Sequence, residues 1–214
     1  MASLFDLDIQ RRDALLNAAL KEFVSCGYDN ASTNVIARES GFSKALMFHY
    51  VKNKQELFLL TYDYFNELLD KEYYSKMDYS IKDVFERLRA SYLLQIELLK
   101  RYPWILNFHK LDVETGSNEI NAALAERKHR KKTYEIFNMI DTSRFRPELN
   151  PEKCKQFILW ANIGFTEQIL QGIRNSIEPL PDYDGIVAIL NDYLDELRKV
   201  FYIPLHDETG KNAD

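Results

Sequence analysis

The chain has 214 residues, of which 46% are apolar, 13% aromatic and 29% charged, and its formal net charge is −5. This composition is typical of a folded globular protein and excludes a chain that is mainly disordered or fibrous. Seven glycines and six prolines are too few for an all-β chain with a turn every ten residues or so, which favours a helical fold.

The sequence also excludes several classes of site and compartment. The two cysteines, Cys26 and Cys154, have neither a CxxC nor a Cys/His spacing, which favours a reducing compartment and no structural zinc. The first residues do not resemble a signal peptide, and no 18-residue window is free of charge, so we expect a cytoplasmic protein that spans no membrane.

Motifs of catalytic and cofactor-binding sites are missing from the sequence. It contains no HExxH, GxSxG or GxGxxG motif and no phosphate-binding glycine loop, so we predict no bound cofactor, no metal and no enzymatic activity. The rival interpretation is a di-iron helical bundle, which needs two Glu-x-x-His pairs. This chain has one such pair, Glu126 and His129.

Apolar residues at helical spacing predict the elements of the first third of the chain. An apolar stripe ends at Gly27, Thr33 and Ser43 are expected to cap two short helices around a turn at Gly41, and Asn53 opens a longer helix. With Glu56, Asn53 has the spacing of a capping box. The predicted helices span about residues 8–25, 33–40, 44–50 and 54–74.

The same signals predict five further helices. Ser80 and Asp83 have the spacing of a helix start, Pro103 interrupts the helix that follows, and Asn150 with Pro151 marks a cap and a first helical residue. The predicted helices span about residues 80–101, 104–111, 118–140, 151–176 and 182–203. The fold expected is all-α, with about nine helices.

The two short helices joined at Gly41 have the layout of a helix-turn-helix, whose second helix can enter a DNA major groove. The segment ASTNVIARESGFSKALMFHYVKNKQELF, residues 31–58, resembles the DNA-binding signature of the TetR family of bacterial transcription regulators. The resemblance covers about 50 residues; the rest of the chain is similar in length and helical layout only.

The resemblance implies a division of the chain into a helix-turn-helix domain at 1–52, an effector-binding and dimerisation domain at 53–206, and a disordered tail at 207–214. It implies a homodimeric repressor that a small hydrophobic or aromatic effector releases from a palindromic double-stranded DNA operator. An activator, or an architectural or cell-division regulator that needs no effector, is the alternative.

Charge supports DNA binding by the N-terminal segment independently of the resemblance. Residues 32–54 carry a net charge of +3, whereas residues 61–214 carry 21 basic and 26 acidic side chains. Leu46 and Phe48 stand where the family more often has threonine and tyrosine, while Met47 and Val51 have the character of core residues. The implied DNA-contacting residues are Thr33, Asn34, Lys44, Ala45, Leu46, Phe48, His49, Tyr50 and Lys54.

The resemblance further implies an effector site in the aromatic middle region and a dimer interface on the last two helices. The candidate effector-binding residues are Tyr92, Trp104, Asn107, Phe108, Tyr134, Phe137 and Asn162. The candidate interface residues, several of them small enough for close helix approach, are Ala161, Gly164, Gln168, Gly172, Ile189, Tyr193 and Leu197. The basic run at 127–132 is interpreted as a solvated helix face, with an anionic effector as a minor alternative.

Overall fold

The computed structural model of the chain describes residues 3–128, 136–175 and 181–204. Across these ranges the secondary structure is helical, and no strand is formed beyond one isolated bridge between Phe145 and Tyr202. The predicted all-α fold is therefore confirmed. The α-helices are α1 (Ile9–Asn30), α2 (Thr33–Glu39), α3 (Lys44–Tyr50), α4 (Lys54–Glu72), α5 (Val84–Arg101), α6 (Asn118–Lys128), α7 (Pro151–Asn175) and α8 (Tyr183–Phe201).

Four short 3-10 helices complete the described secondary structure: Leu4–Asp6, Tyr74–Lys76, Ile105–Asp112 and Thr142–Arg144. The backbone divides into two compact units, one made of Met1–Met77 with Leu94–Tyr134 and the other of Asp78–Leu93 with Glu135–Asp214. The predicted domains at 1–52, 53–206 and 207–214 are functional divisions and stay predictions. None of the helices in the described ranges is long and apolar enough to cross a bilayer.

The core of the first unit forms around the apolar stripe of α1. Helix α1 packs against α2, α4 and the 3-10 helix Ile105–Asp112. The Phe23 ring meets the Phe58 ring of α4 edge to face, with 5.0 Å between centroids. Burial of this stripe accounts for the helical arrangement of the unit, because a helix with one apolar face is stable when that face is covered. The buried stripe residues are Leu16, Ala19, Leu20, Phe23 and Val24.

Helix starts confirm the caps predicted at Ser43, Asn53 and Asn150, and Asp182 caps a further helix. Side-chain oxygens of Ser43, Asn53, Asn150 and Asp182 each accept a backbone N–H three residues further on, at 2.8 to 3.1 Å. Such bonds satisfy amide groups that would otherwise lack a partner in the first helical turn. These four local signals therefore fix where α3, α4, α7 and α8 begin.

Three predicted helix starts need correction. Thr33 is the first helical residue of α2 rather than its cap, and the preceding residue, Ser32, makes no capping bond with its side chain. Asp83, not Ser80, caps α5, because its Oδ1 accepts the amides of Phe85 and Glu86. The capping box at α4 is shifted by one residue, since Glu56 bonds the amide of Lys52 rather than that of Asn53.

Two predicted helix lengths also need correction. Helix α1 continues to Asn30 across a break at Gly27, where φ is +73°. Helix α6 is described as far as Lys128, residues 129–135 lie outside the described residues, and residues 136–139 form turns instead of the helix predicted through Ile140. A distant side chain holds these turns, because the carbonyl groups of Ile136 and Asn138 accept hydrogen bonds from Arg87 on α5.

Arg87 is a fully buried cation in the second unit. Its guanidinium donates to the carbonyl oxygens of Tyr79, Ile81, Ile136 and Asn138, and its Nε donates to Ile81 at 2.9 Å. Desolvation lowers the pKa of this guanidinium. Buried polar groups need such partners to offset the cost of leaving water, so Arg87 joins the segment before α5 to the segment at 136–138.

Asp83 joins three further parts of the second unit. Its carboxylate caps α5 and pairs with Arg144 of a 3-10 helix and with Arg198 of α8, the latter at 2.8 Å. Close by, the Tyr202 hydroxyl accepts the amide of Val84 at 3.1 Å. One carboxylate thus holds the start of α5 against the end of α8.

Replacing Asp83 by alanine should lower the free energy of unfolding by about 3 kcal/mol, because two partly buried guanidinium groups lose their partner and α5 loses its cap. Urea denaturation of the two proteins measures this change. The control is Asp192→Ala at an exposed position of α8, which should change stability by less than about 0.5 kcal/mol. Equal stabilities of the two variants would contradict the role assigned to Asp83.

Candidate DNA-binding interface

The turn between α2 and α3 is fixed by its backbone. Gly41 has a φ of +73°, a left-handed conformation that glycine adopts without steric cost. The amide of Gly41 donates to the carbonyl oxygen of Arg38 at 3.2 Å. The amide of Phe42 donates to the carbonyl oxygen of Ala37 at 2.9 Å. These two bonds define a Schellman motif, which ends α2 and buries the Phe42 side chain.

Helix α3 begins two residues later and presents one face to the core. The Oγ of Ser43 accepts the amide of Leu46 at 3.1 Å and thereby starts the helix. Met47 and Val51 are fully buried, which confirms their interpretation as core residues. The other face of α3 exposes Lys44, Ala45 and His49. Leu46, Phe48 and Tyr50 are half-buried between the two faces.

The start of α2 is attached to α1. The Glu22 carboxylate accepts the amide of Ser32 at 2.8 Å, and Lys21 forms an ion pair with Glu39 at the other end of α2, also at 2.8 Å. Thr33 is half-buried and Asn34 is exposed on the first turn of α2. These contacts fix α2, and through the turn at Gly41 they fix α3.

An open groove of about 580 Å³ joins the starts of α2 and α4 to α3. Three lysines, Lys44, Lys52 and Lys54, line the groove, and none of its lining residues is acidic. Lys52 pairs at 3.9 Å with Glu56, which is not among the lining residues. Ammonium groups that outnumber the nearby carboxylates give a positive local potential, which suits the phosphate groups of a DNA backbone. The lining residues are Asn30, Ala31, Ser32, Thr33, Lys44, Phe48, Lys52, Asn53 and Lys54.

Two of these lysines have defined positions. The Lys54 ammonium donates to the carbonyl oxygen of Asp29 at 3.0 Å and lies 5.0 Å from the centroid of the Tyr28 ring. The Lys44 ammonium lies 6.0 Å from the centroid of the Phe48 ring. Phe48 therefore keeps a cation beside the groove even though it lacks a phenol hydroxyl.

The structure groups the predicted DNA-contacting residues on two surfaces. Thr33, Lys44, Phe48 and Lys54 line the groove, and Ala45 and His49 are exposed on α3. The rings of His49 and Tyr50 contact each other edge to face, with centroids 5.2 Å apart. Lys52 also lines the groove, although it is not among the residues predicted to contact DNA. Its position between the two helix signals of α3 and α4 could have indicated it.

The candidate effector-binding residues divide between the two compact units. Trp104, Asn107 and Phe108 belong to the first unit. Tyr92, Phe137 and Asn162 belong to the second, where the Tyr92 hydroxyl donates to Asn162 Oδ1 at 2.8 Å. Tyr134 lies outside the residues that the structure describes. The same is true of His129, the histidine of the Glu-x-x-His pair, and of most of the basic run at 127–132.

Polar groups accompany the aromatic side chains in the second unit. The Tyr92 hydroxyl also lies 3.1 Å from the Thr166 hydroxyl, and the Phe165 and Tyr193 rings stack with 4.1 Å between centroids. The Tyr193 hydroxyl is buried and has no hydrogen-bond partner in the described part of the chain. Desolvation raises the pKa of Tyr193, so the hydroxyl stays protonated and is available as a donor.

The candidate interface residues also fall into two groups. Gly164, Gln168, Gly172 and Ile189 are exposed and Ala161 is half-buried, whereas Tyr193 and Leu197 pack against the core of their own unit. Beside the glycines, α7 exposes large apolar side chains that are not among the predicted interface residues. These are Phe157, Trp160 and Ile163, which are 49%, 57% and 59% exposed.

The described ranges contain no group of three or more His, Cys, Asp or Glu side chains placed to hold a metal ion. What they do contain is an all-helical unit with a capped, exposed helix after a glycine turn and a lysine-lined groove beside it. This combination defines a helix-turn-helix DNA-binding protein.

Comparison with known proteins identifies the N-terminal domain. Residues 15–61 match the family model described as bacterial regulatory proteins, tetR family. The chain therefore carries the helix-turn-helix domain of the TetR-family transcription regulators, as its sequence motif predicted. No curated protein sequence matches the chain.

Solved structures extend the likeness in fold to nearly the whole chain. The ketosteroid transcriptional regulator KstR2 of Mycobacterium tuberculosis has 18% sequence identity and a TM-score of 0.59, over 92% of this chain and 97% of that one. A TetR-family regulator from Chloroflexus aurantiacus J-10-fl has 16% identity and a TM-score of 0.56, over 94% and 97% of the two chains. A TetR-like regulator from Rhodococcus sp. RHA1 has 17% identity and a TM-score of 0.54, over 88% and 93%.

Replacing Gly41 by alanine should lower the free energy of unfolding by about 1 kcal/mol, because a Cβ is strained at positive φ. Gly41→Asn is the matched variant, since asparagine tolerates the left-handed region better than alanine, and it should lose less. Urea denaturation measures both values. If both variants were as stable as the unsubstituted protein, the turn would not depend on the left-handed residue.

Proposed function

We propose that this chain is a homodimeric repressor that binds a palindromic operator and is released from it by a small-molecule effector. The observation that carries DNA binding is the groove lined by Lys44, Lys52 and Lys54 beside the exposed face of α3. The proposed contacts divide by chemistry. Lysines at the groove neutralise phosphates and position the protein, whereas side chains on α3 contact base edges.

On α3, each exposed side chain has a definite proposed task. Lys44 stands at the first helical position, from which it can donate to guanine or to a phosphate. Ala45 is small enough for close approach to the groove floor, and Leu46 can pack on a thymine methyl group. His49 and Tyr50, one turn further on, are proposed to contact the backbone together with Thr33 and Asn34 of α2.

A homodimer is supported by the exposed apolar face of α7. Phe157, Trp160 and Ile163 are large, apolar and about half exposed, which is costly for a face that stays in water. The glycines at 164 and 172 would let a second helix approach closely along the same element. A two-fold axis through this face would present two copies of α3 to two half-sites of a palindrome.

An effector is supported by the polar groups inside the aromatic core of the second unit. Tyr92, Asn162 and Thr166 form a hydrogen-bonded group, and the nearby hydroxyl of Tyr193 has no partner among the described residues. We propose that a small hydrophobic or aromatic molecule with a hydrogen-bond acceptor binds against these side chains. It would release DNA to the extent that it binds the released arrangement of the dimer more tightly than the DNA-bound one. Such a regulator acts on chromosomal DNA in the cytoplasm.

The test begins with purified protein and fragments of the genome that encodes it, selected at near-physiological salt with excess competitor DNA and then sequenced. One or a few palindromic sites are expected. On such a site, Lys54→Ala should weaken binding to every duplex and reduce the slope of log affinity against log salt by about one per subunit. Lys44→Ala should instead change which base is preferred at one position of each half-site.

Random fragments, or none, would contradict a sequence-specific regulator. Unchanged affinity and salt dependence in Lys54→Ala would contradict the assignment of the groove to phosphate contact. The control is Lys110→Ala in the 3-10 helix Ile105–Asp112, which removes one exposed positive charge away from the groove and should leave the salt slope unchanged.

The dimer proposal is tested by Trp160→Glu. A carboxylate at the centre of an apolar interface would be desolvated without a partner, so the variant should be monomeric at micromolar concentration. Sedimentation equilibrium measures the mass. The control is Val113→Glu, which places the same charge on an exposed apolar residue in the other compact unit. A Trp160→Glu protein that remains dimeric would exclude this face of α7.

A further inference from the structure

The last turn of α1 connects the DNA-binding groove to the loop that precedes α6, and both connections are made by Asp29. Its backbone carbonyl oxygen accepts the Lys54 ammonium at 3.0 Å. Its carboxylate Oδ2 accepts the backbone amide of Gly116 at 2.8 Å. Gly116 is 87 residues further along the chain and belongs to the same compact unit.

The loop that supplies this amide is itself held in place. Asn121, on the first turn of α6, accepts the amide of Thr115 through Oδ1 and donates to the Thr115 carbonyl through Nδ2, each at 2.8 Å. The Ser117 hydroxyl accepts the amide of Ile120 at 3.3 Å. The Gly116 amide is therefore presented to Asp29 from a loop fixed on both sides.

Glycine at position 116 permits this close approach. A Cβ there would lie 3.2 Å from Asp29 Oδ1, which is tighter than ordinary van der Waals contact. A side chain would thus push the carboxylate away by a few tenths of an ångström. The short distance between Gly116 and the Asp29 carboxylate is set by the hydrogen bond from the Gly116 amide to Asp29 Oδ2.

Helix α4, which carries Lys54, is tied to the same segment of the chain. The Tyr62 hydroxyl donates to Asp112 at 2.7 Å, and Arg127 of α6 pairs with Asp63 through two bonds of 2.6 and 2.7 Å. Residues 105–128 and α4 are thus linked to each other. The last turn of α1 attaches to them through Asp29 and through the Tyr28 ring, which packs on the Phe58 ring of α4 with 5.1 Å between centroids.

We propose that Asp29 is a positioning residue for DNA binding: its carboxylate anchors the last turn of α1 on Gly116, and its carbonyl oxygen then orients the Lys54 ammonium toward DNA phosphate. This inference rests on the proposed function. A flexible lysine loses side-chain entropy when it binds a phosphate, and an ammonium that is already oriented loses less. The carboxylate itself repels DNA, so its place next to the groove is unfavourable for binding unless it has such a role.

Two substitutions of Asp29 separate positioning from charge. Asp29→Asn and Asp29→Ala remove the same negative charge, but asparagine keeps an oxygen that can accept the Gly116 amide. The measurement is binding of each purified full-length protein to a fluorescent duplex of random sequence, followed by anisotropy over a series of salt concentrations. The alanine variant should bind about 3- to 10-fold more weakly than the asparagine variant, as expected for one hydrogen bond. Because it lacks the repulsive charge, the asparagine variant should bind at least as tightly as the unsubstituted protein.

The same comparison in a Lys54→Ala background tests whether Asp29 affects DNA binding through Lys54. When the lysine is absent, the Asp29→Ala and Asp29→Asn variants should bind the duplex equally, because there is no Lys54 ammonium for Asp29 to orient. A merely structural defect would persist in that background. Hydrogen exchange at the Gly116 amide should be faster in Asp29→Ala than in Asp29→Asn.

Gly116→Ala provides a variant without any change of charge. Its Cβ should displace the carboxylate and weaken duplex binding as Asp29→Ala does, while Lys54 and every other charge remain. Asp70→Ala, at an exposed position of α4, is the control for removal of a negative charge outside the Asp29–Gly116 contact, and it should not weaken binding. Thermal unfolding of each variant identifies any that fail to fold, and Gly116→Ala then carries the test.

The outcomes distinguish this inference from the proposed function. Weaker binding of Asp29→Ala than of Asp29→Asn, lost in the Lys54→Ala background, would support the positioning role. Equal binding of the two Asp29 variants, with Lys54→Ala still weakened, would overturn the positioning role and leave the DNA interface intact. If Lys54→Ala bound the duplex as well as the unsubstituted protein, the groove assignment would fail and the role of Asp29 would fail with it.

Discussion

The left-handed backbone at Gly41 determines where α3 stands, and the DNA-binding surface depends on it. A Schellman motif ends α2 there, buries Phe42, and lets Ser43 start α3 within two residues. With Met47 and Val51 buried beneath the helix, α3 cannot rotate without exposing core, so its polar face stays directed outward. A short helix with little intrinsic stability is thereby held rigid, which reduces the entropy lost on binding a groove.

In the first unit the position of α3 depends on the turn at Gly41. In the second unit the packing of the helices depends on two buried or partly buried charged side chains, Arg87 and Asp83. Arg87 donates its hydrogen bonds to backbone carbonyl groups from two segments of the described chain. Asp83 is the complementary case, since one carboxylate receives two guanidinium groups and caps a helix. These bonds hold α5 and α8 together, while α7 presents Trp160 and its apolar neighbours on the surface.

Local signals were predictable from the sequence, and long-range ones were not. The caps at Ser43 and Asn150 and the turn at Gly41 involve residues within about four positions of each other, so spacing alone predicts them. The turns at 136–139 could not be predicted, because Arg87 reaches its carbonyl partners there across 49 and 51 residues. Tyr193 shows a second limit of prediction from sequence. Helical periodicity predicts that one face of α8 is apolar, but it does not predict whether the core of the same chain or a partner subunit covers that face.

Charge distribution explains how an acidic protein can have a DNA-binding site. The chain carries a net charge of −5, yet the lining of the groove contains three lysines and no carboxylate. Phosphate binding depends on the local potential within about 8 Å at physiological salt, because ions screen more distant charges. The acidic residues elsewhere therefore cost the groove little affinity, while they disfavour indiscriminate coating of DNA by the rest of the surface. Glu56 is one exception, since it pairs with Lys52 at 3.9 Å, and Asp29 is a second, since its carboxylate belongs to the residue that contacts Lys54. The hydrogen bond to Gly116 gives that acidic side chain a structural reason to be there.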